Sequence, residues 1–144
     1  MRQAATFSLL GLVLAALAGC GGGGEKSEEA PNPAATAACK GSALTGSPKL
    51  PASFPQVEHV TYTVQRTQGP TDVVEGYFEG DLKDAYDEYK KELQAAGYKI
   101  LFDELEEHDS EVSWSGEGRS GQVALREDCA DKDRIYVHIT NRPA

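Results

Sequence analysis

Three groups of side chains in this sequence have residue types that could support chemistry. Glu106-Glu107-His108-Asp109 gathers three carboxylates and an imidazole in four consecutive positions. That donor set suits zinc or calcium only if a second cluster completes the coordination shell. None follows at a recognisable spacing, so no metal site is expected and a solvated acidic turn is the plainer reading. Gly116-Glu117-Gly118-Arg119-Ser120-Gly121 matches G-x-G-x-x-G, but a dinucleotide site needs that motif between a strand and a helix whose N-terminus meets the pyrophosphate. A strand pattern follows here instead, and glycines at positive φ in a hairpin loop account for the match. The third group is spread along extended segments: His59, Thr61 and Thr63, then Glu75 and Tyr77, then Arg126, then Tyr136, His138 and Thr140. No G-x-S-x-G, H-E-x-x-H, C-x-x-C or phosphate loop accompanies them, so no catalytic residue and no cofactor is expected.

The third group gains meaning from the elements that carry it. Val60, Tyr62 and Val64 alternate with Thr61, Thr63 and Gln65, the period-two pattern of a strand with one buried face. Gln68-Gly69-Pro70-Thr71 marks a turn, and the run from Asp72 to Gly80 makes the second arm of a hairpin. Leu82, Ala85, Tyr86, Tyr89, Leu93 and Ala96 fall at helical spacing, with Asp81 as N-cap and Gly97 as stop. They predict an amphipathic helix over residues 81–96. The period then returns to two through Tyr98, Ile100 and Phe102. Three further strands follow, with Val112 and Trp114, Val123 and Leu125, and Ile135, Val137 and Ile139 facing inward. The order ββαββββ predicts an α+β fold: an antiparallel sheet with one helix packed on one face. By alternation, His59, Tyr77, Arg126, Tyr136 and His138 share the face away from that helix and form a candidate binding face.

The start of the chain tells where such a domain works. Arg2 precedes an apolar run from Phe7 to Ala18 that ends in Leu17-Ala18-Gly19-Cys20. The run is shorter than the roughly 20 apolar residues a membrane span requires. This pattern resembles the lipobox of bacterial lipoproteins with a type II signal peptide. The resemblance implies removal of residues 1–19, acylation of Cys20 and anchoring outside the cytoplasm to a bacterial membrane by two or three acyl chains. Residues 20–38 contain no apolar side chain larger than alanine between the lipidated cysteine and Ala38 and read as a flexible tether. Residues 39–144 are left as a single domain. With Cys20 assigned to lipid, Cys39 and Cys129 remain as an even pair in an oxidising compartment, and a disulfide between them is expected.

The charge narrows the partners. A formal net charge of −9 repels phosphate backbones, so nucleic acid is excluded. The expectation is therefore a membrane-anchored, non-catalytic binding or interaction module, taking a small ligand or another envelope protein. Two alternatives stand beside it. One is a metal-binding protein or small hydrolase using His108 and its neighbouring carboxylates, and the other is a structural accessory subunit of an envelope complex.

Overall fold

The computed structural model describes residues 30–144. The leader, Cys20 and the glycine-rich stretch after it lie outside the described residues. Six strands form one antiparallel sheet: β1 (Val60–Gln68), β2 (Thr71–Glu79), β3 (Lys99–Leu105), β4 (Asp109–Gly116), β5 (Arg119–Arg126) and β6 (Arg134–Pro143). Their spatial order is β1-β2-β6-β5-β4-β3. The hairpin β1/β2 and the meander β3 to β6 are thus joined edge to edge by β2/β6 pairing, in which Glu75 faces His138 and Tyr77 faces Tyr136.

Two helices cover the sheet, α1 (Pro33–Lys40) and α2 (Leu82–Ala95). The second is the amphipathic helix read from the periodicity. Asp81 accepts from the Asp84 amide at 2.9 Å. At the other end Gly97, at φ 88°, lets the Tyr98 and Gly97 amides bond back to Leu93 and Gln94, the arrangement a left-handed C-cap supplies. Leu82, Ala85, Tyr89 and Leu93 are buried against Val112, Trp114, Val123, Leu125 and Ile139. The half of that face over β1 is closed by an irregular strap, residues 47–57, whose Phe54 packs edge-on against Trp114 at 5.3 Å between ring centres. Among the described residues no helix is long and apolar enough to cross a membrane.

The first helix corrects two expectations. The fold carries two helices rather than one, and the part of the expected tether from Pro33 to Ala38 is folded. Asn32 caps the helix through its side-chain oxygen, 3.1 Å from the Ala34 amide, and Pro33 supplies a preset φ at the first helical position. Ala35 and Ala38 are fully buried. Their small side chains let the helix lie close against the sheet. Eight residues are too few for an isolated helix in water, so tertiary ties hold it. Thr63 donates to the Ala38 carbonyl at 2.8 Å, and Arg134 donates to the Cys39 carbonyl at 2.8 Å. The sulfur atoms of Cys39 and Cys129 lie at bonding distance, with their Cα atoms 5.7 Å apart. Helix α1 packs on β1, β2 and β6, the face opposite α2. The face expected to be free of helix is therefore covered over β1, β2 and β6 and open over β3, β4 and β5.

The turn at Glu117-Gly118 has both residues at positive φ, 52° and 69°. It joins β4 to β5 as a two-residue hairpin, which is what the G-x-G-x-x-G match amounts to.

Candidate functional site

A β-bulge sets the chemistry of the α1 face. The β1/β2 register shifts between Tyr62 and Val64, so the alternation read from the sequence is broken there. Tyr62 keeps the α2 face, whereas Val64 and Arg66 turn to the other side. Arg66 thereby reaches Glu75, whose surface is 2% exposed. Three donors converge on that carboxylate. Arg66 contributes its guanidinium, Tyr136 its hydroxyl at 2.5 Å and His138 its Nδ1 at 2.9 Å. Burial alone would raise the pKa of Glu75, but the hydrogen bonds from Arg66, Tyr136 and His138 outweigh it and hold the carboxyl below its usual range. For Tyr136, burial and then the adjoining carboxylate push the phenol well up, so it stays a neutral donor.

The consequence for His138 is orientation. With Nδ1 held on Glu75, the ring is fixed and part of it, 30% of the side chain, faces solvent. Among the described residues no serine, threonine or cysteine hydroxyl or thiol is hydrogen-bonded to it; the Tyr136 hydroxyl lies 3.3 Å from the same Nδ1.

The five residues of the expected face do not stay together. Tyr136 is buried under α1 with Ala35, Ala38, Cys39 and Cys129. Tyr77 is half-buried and lies beneath the Arg134 guanidinium, 4.0 Å from its ring centre. Tyr136 thus supports the helix from within the cluster, and Tyr77 packs at its margin. His59 is not on this face: the chain adopts φ 64° there, just before β1 begins, and its ring meets Phe78 edge-on at 6.1 Å. It borders a depression beside Asp84, Asp87 and Glu88 of α2. Arg126 is exposed and lines a depression of about 500 Å³ with His108, Asp128 and Lys132. Of the five, Arg126 is exposed on the α1 side of the sheet and His138 and Tyr77 are half-buried there.

His108 pairs with Glu127 at 2.9 Å and lies 3.7 Å from Glu107. The Glu127 hydrogen bond raises its pKa above the ordinary histidine value. Among the described residues no three His, Cys, Asp or Glu side chains are placed to hold a metal ion together.

The open half of the face has a different character. Cross-strand pairing aligns Phe102 with Ser113, Ser113 with Gln122 and Gln122 with Thr140. Gln122 donates to Glu111 at 2.7 Å, and Leu101, Ser113, Gln122, Thr140 and Arg142 border a shallow depression of about 410 Å³. A second bulge, between Ile100 and Phe102, interrupts the pairing of β3 and leaves Leu101 56% and Phe102 49% exposed. With Leu105 at 41%, these are the exposed large apolar side chains among the described residues, and all three belong to one edge strand. The period of two puts Phe102 on one face with Tyr98 and Ile100, and the bulge at Leu101 separates it from them. Comparison with models of protein families, with curated proteins and with solved structures gives no match.

Proposed function

We propose that this protein is a lipid-anchored, non-catalytic interaction module of a bacterial envelope, held to the membrane through Cys20, that binds a partner protein along the β3 edge of its sheet. The observation that carries this reading is the concentration of exposed Leu101, Phe102 and Leu105 on one edge strand. Edge strands offer unpaired backbone donors and acceptors, and proteins ordinarily blunt them with charge rather than dress them with apolar side chains. An added strand would find main-chain partners and side-chain contacts together. Exposed Glu104, Glu106 and Glu107 flank Leu105 at the end of the same strand. The fitting partner is thus an extended segment of another envelope protein that carries lysine or arginine among apolar residues.

A benzoylphenylalanine photo-crosslinker at position 102 of the full-length protein in intact cells tests this. The expected result is a discrete adduct with another envelope protein, mapped by mass spectrometry to an extended, basic segment. It should be absent with the probe at Lys91 on α2 and lost from the membrane fraction with Cys20→Ala. Adducts only between copies of this chain, or the same adducts from position 91, would overturn the reading.

A further inference from the structure

The strap that closes the sheet over β1 encloses a second site. Three contacts pin it: the Lys49 amide to the Gln65 side chain at 3.0 Å, Asn141 to the Lys49 carbonyl at 3.0 Å, and Ser53 to the Tyr98 hydroxyl at 2.7 Å. Between the strap and β1 lies an open cavity of about 600 Å³, lined by Leu50, Phe54 and Val57 of the strap and by Val60 and Tyr62 of the strand, with the uncharged polar Ser47 and Gln56 among its lining. That volume falls within the roughly 300–1,000 Å³ of small-molecule sites.

Two properties of the cavity select a ligand. In a chain of which 26% is charged, its lining includes no charged side chain. An ionised ligand would leave water there without a counter-charge, which is costly. The second property is a spare proton. The hydroxyls of Tyr62 and Tyr89 are 3.1 Å apart, and this one hydrogen bond uses only one of their two protons. Tyr89 is fully buried and among the described residues has no other hydrogen-bond partner. If Tyr62 donated, the Tyr89 proton would be stranded in the core at the cost of an unmade hydrogen bond. Donation by Tyr89 satisfies that proton and leaves the free one on Tyr62. The Tyr62 hydroxyl is itself buried but its side chain lines the cavity, so that an acceptor entering there is what can meet it.

We infer that this cavity binds an uncharged, largely apolar small molecule carrying one carbonyl- or ester-type acceptor, which takes the free proton of Tyr62. The site is separate from the β3 edge and stands or falls independently of it.

The test is an NMR titration of the mature chain bearing Cys20→Ser, with methyl octanoate and octanoate as probes. Methyl octanoate should shift the amides of residues 47–57 and 60–62, and octanoate should bind at least about tenfold more weakly because its carboxylate is unpaired. Tyr62→Phe should weaken the ester by about three- to tenfold, the worth of one hydrogen bond. Should Tyr62→Phe alone disturb the fold by orphaning Tyr89, the double variant Tyr62→Phe/Tyr89→Phe removes both partners at once and should show the same loss. Shifts absent from the strap, equal affinity for octanoate, or ester affinity unchanged when both hydroxyls are gone would overturn the inference.

Discussion

Arg66 and Glu75 sit on neighbouring strands, two residues out of direct register, and the guanidinium of one donates to the nearly buried carboxylate of the other. The bulge after Tyr62 creates this pairing. Without it Arg66 would project on the α2 side, and Glu75 would be a buried charge held only by a phenol and an imidazole.

Removing either member should therefore be costly. Arg66→Met leaves the Glu75 carboxylate without its cation, and Glu75→Ala strips Arg66, Tyr136 and His138 of their common acceptor. Breaking a buried pair in this way costs about 3–5 kcal/mol; the 38% exposure of the Arg66 side chain puts Arg66→Met at the lower end. Urea denaturation of the single variants checks this, and a double variant should lose less than the sum of the two.

Acid should act through the same carboxylate. The folded pKa of Glu75 is held down, below the value of about 4.3 for an unfolded glutamate. Its ionisation stabilises the fold at pH values above that figure, and this contribution is lost as pH falls through the folded value. The stability gap between the native protein and Glu75→Gln should thus be widest near neutrality and shrink in acid. A gap that grows as pH falls would contradict the assignment.

Mass spectrometry of the unreduced mature protein should show Cys39 linked to Cys129. Replacing both by serine opens a sequence separation of 90 residues and should cost about 2–5 kcal/mol. Hydrogen exchange should show where the loss falls: the amides of α1 should lose protection before those of β4 and β5, because the helix is too short to persist without its ties.

Stability and binding should separate on the β3 edge. Leu101→Ser with Phe102→Ser removes exposed side chains and should change stability by no more than about 0.5 kcal/mol per site, while abolishing the crosslink made from neighbouring positions of the strand. Leu125→Ala, at a fully buried position, should cost about 2–5 kcal/mol. Thermal melts of the two sets distinguish surface from core.

Local pattern decided a great deal by itself. The helix from Leu82 to Ala95, its Asp81 cap and Gly97 stop, the alternation of Ile135, Val137 and Ile139, and the hairpin turns all follow from side-chain period and turn chemistry. These act over a few residues and are written wherever they occur. The signal for α1 was also local, Asn32 followed by Pro33, but an eight-residue segment in which four alanines and a threonine lie between Pro33 and Cys39 has no stripe of large apolar residues to announce a buried face. Its stability comes from Cys129, Thr63 and Arg134, far away in the chain. Bulges at Thr63 and Leu101 lie beyond any periodicity argument, because a bulge depends on how a neighbouring strand pairs. Those two irregularities, with the placement of α1, decided the rest. They turned Arg66 onto Glu75, exposed Leu101 and Phe102 and buried Tyr136, while a left-handed turn at His59 put that ring on the side away from His138.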